Sequence, residues 1–595
     1  MILRSLVGYY ERKCKYEREC KNDSQNRSIP PEGFEYKEIP FILVLDKRGN
    51  IVNIENTYEG EGKNKRAKKF LVRRSIKKTS GIASNLLWEN PEYALGIPLR
   101  NGAEKVSKMH RKFIEKIDSL GEIEDDGLKA IKLFLKSDIL SVLEEKSKTD
   151  DEFAKKFEQL KNEKSANLTF KLQGEDDIIS KSDAVISVIK AQLTESGQKE
   201  ICLINGKKDS IARLHSPIKG VFGCQPSGGN IVSFQQNSGY DSYGKKQGGN
   251  APCGEKAVFA YTTALNTLLG KDSEQKMRIG GDTTAVFWAS EKSKLESNFA
   301  AFFKIPSEDD PDRGARAVSD LFESIKNGVN NIEDGDKEFY VLGLSPNAGR
   351  ISVRFFIKNT IAEMSKNIAQ YFKDLEIVKP SYEKEFLPLH YLLKSTAVLS
   401  KSDNILPSLE GNFMNAVLKG LHYPAILLQA VINRVKAEGE VNYPRAALIK
   451  SYLNRLARHE NKKEEIAVGL SVNNDNSGYV LGRLFAVLEK LQEEAQGETN
   501  STIIRYYGSA SSTPAAVFAT LIRLSKYHLD KLGRDKGKKG RVVNFDKLFS
   551  EIHGKINGKT GYPSYLTLLD QGKFSIGYYQ QRQDFFTKKE ENVNE

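Results

Sequence analysis

The stretch FYVLGLSPNAGRISVRFFI, residues 339–357, marks the point at which this 595-residue chain changes character. Two runs rich in β-branched and aromatic residues flank a Ser-Pro-Asn-Ala-Gly turn, a pattern that predicts a β-hairpin leading into a helix near Asn359. Beyond about residue 379, strand-like runs vanish and helix-length amphipathic segments follow, separated by Gly, Pro or Asn. The sequence therefore predicts an α+β fold: a mixed α/β N-terminal region with hairpins over residues 1–378, and an all-α C-terminal helical bundle over 379–595.

Strand alternation within this hairpin has a consequence for its surface. Side chains two residues apart point to the same side of a strand, which places Ser352, Arg354 and Phe356 on one face. With Arg350 and Lys358 close by, the hairpin is predicted to offer a basic surface that also carries an aromatic ring.

Earlier segments fit the same mixed class. FILVLDKRGNIVNIE, residues 41–55, predicts another hairpin, because Gly49 and Asn50 tolerate the positive φ of a tight turn. Helical periodicity covers residues 101–160, and GDTTAVFWAS, residues 281–290, predicts a buried strand. No run of eighteen apolar residues occurs, and the N-terminus becomes charged too early for a signal peptide. We expect a cytoplasmic protein with no membrane partner.

The overall charge points to an acidic partner. The chain has 91 Lys and Arg against 78 Asp and Glu, a formal net charge of +13. Clustered cations attract phosphate independently of base sequence, so nucleic acid is the natural candidate. Charge alone does not separate a nucleic-acid binder from a protein whose basic side chains are simply solvated.

One polar loop is the strongest candidate for a recognition surface. SFQQNSGYDSYGKKQGGNAP, residues 233–252, joins glycines, amides, tyrosines and two lysines, and an apolar helical pattern follows it directly. Amides and lysines contact base edges, and tyrosines stack on an opened base pair. The candidates in this loop are Gln235, Gln236, Asn237, Tyr240, Tyr243, Lys245, Lys246, Gln247 and Asn250.

A strongly basic run supplies further candidates. It precedes TSGIASNLLWENPEYALGI, residues 79–97, in which hydrogen-bond donors and a Trp ring follow the charge. Candidates for a second base-proximal set are Lys77, Lys78, Thr79, Ser80 and Asn85. Candidates for contact with the nucleic-acid backbone are Lys68, Lys69, Arg73, Arg74, Arg350, Arg354, Lys358, Arg483, Arg505, Arg523 and Lys526. For these cations a solvated face is the competing interpretation.

The motifs of common enzymes are missing. The sequence has no phosphate-binding P-loop, no dinucleotide fingerprint and no H-E-x-x-H, and its seven histidines and five cysteines lack metal-ligand spacing. The acidic pairs at 125–126 and 309–310 are typical of solvated turns or helix N-termini. We expect no catalytic residues, metal or cofactor; a metal nuclease would need distant carboxylates to converge.

Several segments together resemble one known family. In order along the chain they are MILRSLVGYYER, TSGIASNLLWENPEYALGI, SFQQNSGYDSYGKKQGGNAP, FYVLGLSPNAGRISVRFF, GYVLGRLFAVLEKLQEEA and FSIGYYQQRQDFF. They resemble the successive motifs of the large subunit of the type I-C (Dvulg subtype) CRISPR Cascade surveillance complex, from the first residue nearly to the last.

This resemblance implies a crRNA-guided role in antiviral defence. The large subunit would recognise the PAM in target double-stranded DNA, begin strand separation and R-loop formation, and support the displaced strand with its C-terminal helices. Its partners would be crRNA, the crRNA-processing subunit, the backbone and small subunits, and a helicase-nuclease that performs the cleavage. The alternative is a structural assembly subunit with only nonspecific DNA binding.

The resemblance also implies an internal translation start, with residues 473–595 resembling the small subunit. The last methionines, Met364 and Met414, lie well upstream of the Asn-rich segment where an independent bundle would begin. A non-AUG start near Val472 or Val480 is therefore our hypothesis.

Overall fold

The computed structural model describes residues 1–19, 29–60, 62, 65–76, 81–193, 199–236, 239, 243–279, 282–304, 309–326, 335–406, 408–461, 466–497, 503–556 and 561–586. The chain forms two compact units, Met1–Ser216 with Val232–Thr267, and Pro217–Ile231 with Leu268–Glu595. The predicted boundary near residue 379 falls inside the second unit. The predicted α+β class is confirmed.

The first unit contains ten strands among its described residues. They are β1 (Phe34–Glu38), β2 (Phe41–Leu45), β3 (Ile51–Asn56), β4 (Tyr58–Glu59), β5 (Arg66–Ala67), β6 (Lys69–Arg73), β7 (Trp88–Glu89), β8 (Leu168–Leu172), β9 (Lys199–Ile201) and β10 (Lys208–Ser210). Its helices are α1 (Ile2–Glu19), α2 (Pro91–Ala94), α3 (Ala103–Asp118), α4 (Asp126–Lys136), α5 (Ile139–Thr149), α6 (Asp151–Asn162), α7 (Asp183–Leu193) and α8 (Glu255–Leu268), with 3₁₀ turns at Ile179–Lys181 and Gln247–Asn250.

The central sheet of this unit has the order β3-β2-β8-β7, with β2 and β8 parallel. Every residue of β2 is buried, because its alternate side chains enter cores on both faces of the sheet. Phe41 and Leu43 join the larger core, which includes residues of α3 to α6, while Ile42 packs with Trp88. Gly49 has φ of 82° in the β2–β3 turn, as predicted.

The second unit contains the strands β11 (Lys276–Ile279), β12 (Thr283–Ala289), β13 (Glu338–Asn347) and β14 (Arg350–Thr360). Its helices are α9 (Lys294–Asn298), α10 (Arg313–Lys326), α11 (Ile361–Leu375), α12 (Leu389–Lys394), α13 (Leu409–Lys419), α14 (Ala425–Glu438), α15 (Tyr443–His459), α16 (Ser477–Gln496), α17 (Tyr507–Ser512), α18 (Pro514–Gly533), α19 (Lys539–Gly554) and α20 (Leu568–Asp584). Short 3₁₀ turns lie at Phe299–Phe302, Val398–Ser400, Ser402–Asn404, Ile503–Tyr506 and Lys536–Lys538.

The four strands pair antiparallel in sequence order, and β13 and β14 form the predicted hairpin. A β-bulge interrupts this pair: Leu342 lies opposite Phe356, whereas Ser345 lies opposite Ser352. Four residues of β13 (342–345) therefore face five residues of β14 (352–356), so Ser352 and Phe356 lie on opposite faces of the strand. The predicted common face for Ser352, Arg354 and Phe356 was wrong, because the bulge at Arg354 shifts the alternation by one residue.

One hydrophobic core joins this sheet to the helices that follow residue 379. Phe287 and Phe339 of the strands belong to the same buried cluster as Leu484 and Phe574 of the last helices. Asn476 caps α16 by accepting hydrogen bonds from the backbone N–H of Gly478, as the Asn-rich segment predicts. Among the described residues, none of the helices combines the length and apolarity that a bilayer span requires.

Candidate nucleic-acid interface

The base of loop 233–252 is fixed by the segment that follows β10. Arg213 Nη1 donates to Gln247 Oε1 at 2.7 Å, and the Gly248 N–H donates to the Arg213 carbonyl oxygen at 3.0 Å. Gly248 is buried, and a Cβ placed on it would lie 2.1 Å from the Ala212 carbonyl oxygen. The side chain of Gln247 therefore positions the loop, and only glycine fits at its neighbour.

Asn250 folds the loop back on itself. Its Nδ2 donates to the carbonyl oxygens of Gln247 at 3.0 Å and Lys245 at 3.3 Å. Gln247 has a φ of 43° and Tyr243 a φ of 53°, both in the left-handed region that non-glycine residues seldom adopt. Two of the predicted contact residues, Gln247 and Asn250, thus shape the loop from within.

The tip of the loop presents the groups suited to binding. Tyr243 is fully exposed, and Lys245 and Lys246 beside it are exposed as well. Gln235 and Gln236, at the start of the loop, are also exposed. An exposed phenol ring next to two ammonium groups combines a stacking surface with phosphate attraction.

Six predicted residues lie outside the described residues: Asn237, Tyr240, Lys77, Lys78, Thr79 and Ser80.

The described part of the second candidate set is buried. Asn85 is 5% exposed; its Oδ1 accepts from the Ile76 N–H at 3.0 Å, and its own N–H donates to Glu89 Oε1 at 3.1 Å. Trp88 is 2% exposed and donates from Nε1 to the Arg73 carbonyl oxygen at 2.8 Å. Both side chains therefore stabilise the fold, and neither exposes enough surface to bind DNA.

The basic run around β6 separates into surface and interior cations. Lys68 and Lys69 are exposed. Arg73 is half-buried and donates to the Gly33 carbonyl oxygen at 2.7 Å, while the guanidinium of Arg74 lies 4.8 Å from the ring centroid of Phe259. Burial lowers the pKa of both arginines. The two lysines are the accessible members of this group.

The cations of the β13–β14 hairpin are exposed, and two of them are paired with acids. Arg354 Nη2 lies 2.7 Å from Asp282 Oδ2, and Lys358 forms an ion pair with Glu338. Arg350 is exposed, and its backbone bridges to Asn230. Phosphate contact by Arg354 or Lys358 would have to compete with these carboxylates.

Arg483 lies in the core of the helical part. Its side chain is fully buried, its Nε donates to Gln581 Oε1 at 3.0 Å, and its Nη2 lies 3.0 Å from Glu551 Oε1. Burial removes Arg483 from the candidates for phosphate contact. The burial of Arg483 could not be predicted from the sequence pattern, because α16 is buried on nearly all sides rather than along one apolar stripe.

The last helices carry a basic surface, which we define as the exposed cations of residues 523–547. They are Arg523, Lys526, Lys531, Arg534, Lys536, Lys538, Lys539, Arg541 and Lys547. The same stretch holds only three acids, Asp530, Asp535 and Asp546. Tyr527 is 68% exposed among these cations, and Arg505 is exposed on a preceding turn. Arg523 and Lys526 make no ion pair with any described residue.

The acidic pair at 125–126 stabilises local structure at the start of α4. Asp125 caps the helix by accepting from the Leu128 N–H at 2.7 Å, and Asp126 pairs with Lys47 at 2.8 Å. Within the described ranges, no three His, Cys, Asp or Glu side chains converge in a metal-binding arrangement.

A comparison with known protein families identifies the family of the chain. The model of the family described as CRISPR-associated protein (Cas_Csd1) matches residues 6–586. The chain belongs to the Cas_Csd1 family. This is the family of the type I-C large subunit, which confirms the resemblance seen in the sequence and makes the chain a subunit of a CRISPR Cascade complex. No curated protein matches the chain.

The sequence of this Cas_Csd1 chain predicts loop 233–252 as a candidate surface, but it did not indicate Arg213, the residue that holds the base of the loop. Arg213 lies 34 residues from Gln247 along the chain, and it stands in no motif. Only the structure shows that the segment after β10 and the loop are one element.

Proposed function

We propose that this subunit recognises the PAM in target double-stranded DNA and begins strand separation with the tip of loop 233–252. The observation that carries the proposal is the fully exposed Tyr243 beside exposed Lys245 and Lys246, on a loop whose base is fixed by Arg213 and Asn250. A fixed base lets an exposed tip contact DNA with little loss of conformational freedom. Guide pairing reads the long target, so the protein needs to read only a short duplex.

The basic surface at 523–547 supports the second half of the proposal. Its cations and the exposed Tyr527 suit a single strand, which binds through backbone charge and base stacking. We assign to it the displaced strand of the R-loop.

We assign cleavage of the target DNA to a partner protein. The sequence lacks the enzyme motifs named above, and we propose a non-catalytic subunit that acts with crRNA, the crRNA-processing subunit, the backbone subunits and the small subunits. A helicase-nuclease would join the complex after R-loop formation.

The test is binding of the assembled, guide-loaded complex to target duplexes that differ only in the PAM, at one fixed salt concentration. Lys245→Ala with Lys246→Ala is expected to reduce the preference for the correct PAM. The matched control is Lys129→Ala with Lys136→Ala, which removes two exposed charges from α4. Equal weakening for every PAM when the subunit is omitted would favour the alternative, a structural subunit with nonspecific DNA binding.

A further inference from the structure

The β9–β10 hairpin presents two faces of different chemistry. Ile201 pairs with Lys208 and Glu200 pairs with Asp209 in the register of the two strands. Directly opposed residues project to the same side, and sides alternate along each strand. Ile201 and Lys208 therefore share one face, and both acids lie on the other.

The acidic face is attached to the start of α8. Asp209 Oδ2 accepts from the Lys256 N–H at 3.2 Å, and a Cβ on Gly254 would lie 2.4 Å from the same oxygen. Cys202, which follows β9 on this face, is fully buried. These contacts fix the orientation of the hairpin.

The opposite face is exposed, apolar and basic. Ile201 is 60% exposed, and the lysines Lys199 and Lys208 are exposed on the same face; Leu203, in the turn that follows β9, is 68% exposed. No acidic residue of the hairpin shares this face. Exposed branched side chains between cations suit a DNA groove, where apolar groups contact sugars and base edges while lysines contact the flanking phosphates.

The hairpin also shares its base with loop 233–252. The Leu203 N–H donates to the Pro252 carbonyl oxygen at 2.9 Å, and the Ala212 N–H donates to the Cys253 carbonyl oxygen at 2.9 Å. Arg213, three residues after β10, holds Gln247. A duplex seated at the loop tip therefore has this hairpin as a neighbouring, structurally coupled element.

We propose that the β9–β10 hairpin is a second duplex-binding element, which grips DNA irrespective of sequence while the loop tip reads the PAM. Ile201 and Leu203 contact the groove, and Lys199 and Lys208 contact phosphates. The inference rests on the proposed function in taking duplex DNA as the ligand. The segregation of charge onto one face favours DNA over a protein partner.

Two double variants of the full chain, assembled with guide RNA, test the proposal. Lys199→Ala with Lys208→Ala is expected to weaken binding to all duplexes alike, on the order of tenfold, and to flatten the dependence of log K on log[salt] by about 1.8, the value for two phosphate contacts. Ile201→Ser with Leu203→Ser is expected to weaken binding alike for every PAM but to leave the salt slope unchanged. The Lys129→Ala, Lys136→Ala control should leave both affinity and slope at their wild-type values.

The outcomes separate this inference from the proposed function. If the wild-type complex binds every duplex equally, the loop does not read the PAM, and the hairpin is still judged by the salt slope of its variants. Variants that bind duplex like the wild type would overturn the hairpin proposal. Loss of the variant subunit from the purified complex would overturn it too, because the face would then dock a protein.

Discussion

Gly482 of α16 approaches Phe574 of α20 so closely that a Cβ on the glycine would lie 2.0 Å from the Phe574 carbonyl oxygen. Gly577 makes the reciprocal approach, since its Cβ would lie 2.2 Å from the Tyr479 carbonyl oxygen. Glycines at both positions let the two helix backbones meet directly. The buried Arg483 and Tyr479 then reach Gln581 and Gln580 on α20.

Gly482→Ala should therefore destabilise the protein. The methyl group must push α16 and α20 apart or distort both, which costs about 1–3 kcal/mol in the free energy of unfolding. The change is measured by urea or thermal unfolding of the full chain. Gly508→Ala is the control, because apart from its chain neighbours and the backbone of its own helix no atom lies within 4 Å of the Cβ position, and alanine there should be neutral or stabilise by about 0.5–1 kcal/mol. Similar losses for the two variants would contradict the packing argument.

The hydrogen bond between Arg213 and Gln247 should couple these residues in DNA binding. Arg213→Ala and Gln247→Ala each release the base of the loop, and we expect each to weaken PAM-duplex binding by about 1 kcal/mol. The double variant should be no weaker than either single variant, because both remove one interaction. The Gly248 N–H donates to the Arg213 carbonyl oxygen. Faster hydrogen exchange at this amide in the variants would show that the effect lies in the loop. Additive losses in the double variant would mean that the two side chains act separately.

Glu92 should make stability depend on acid pH. Burial raises the pKa of this carboxyl, but hydrogen bonds from the backbone N–H groups of Asn101 and Arg100, together with the Arg100 charge, outweigh burial and hold the pKa at about 2. A lowered native pKa stabilises the fold above the ordinary value of 4.5, and this stabilisation is lost as the pH falls towards 2.

Glu92→Gln should accordingly lower the free energy of unfolding at pH 7 by about 2 kcal/mol, and the difference from wild type should shrink between pH 4.5 and 2. Glu104→Gln is the control, because that carboxylate is 88% exposed in a surface pair with Lys108. Unfolding curves over this pH range give the comparison; a constant gap between Glu92→Gln and wild type would refute the assignment.

The fold class could be predicted from local sequence patterns, whereas the burial and orientation of individual site residues could not. FILVL at 41–45 and the hairpin at 339–357 predict strands because propensity and turn residues agree there. The burial of Arg483 depends on partners such as Gln581, 98 residues further along the chain, and no local window of sequence contains both. The bulge at Arg354 lies within the hairpin sequence, but residue alternation alone does not mark it. The loop tip was predicted as exposed and polar because its composition leaves little to bury.

The basic surface at 523–547 should bind single-stranded DNA. Arg523→Ala with Lys526→Ala removes two exposed cations beside Tyr527, and we expect a lower yield of R-loop complex with little change in PAM preference. For single strands the salt slope should flatten by about 1.4, the value for two phosphates. Footprinting of the displaced strand, compared with the Lys129→Ala, Lys136→Ala control, provides the measurement. Unchanged protection of that strand would exclude this surface.

If the gene also yields a separate small subunit from residues 473–595, the structure favours a start at Val472 over Val480. Val472 is 47% exposed and precedes the cap of α16, whereas Val480 is buried within the first turn. A chain beginning at 480 would lose Asn476, which caps the helix, and Tyr479, whose hydroxyl donates to Gln580 Oε1 at 2.6 Å. Without these groups α16 would begin uncapped against α20.

We therefore expect intact-mass analysis of the complex, expressed from the unmodified gene, to show a fragment that begins at residue 472. Replacing codon 472 by a valine codon that does not initiate translation should remove the fragment and leave the full-length subunit unchanged. The same replacement at codon 480 is the matched control and should leave the fragment in place. A fragment lost only on changing codon 480 would show that α16 and α20 associate without the cap, and the structural argument for Val472 would fail.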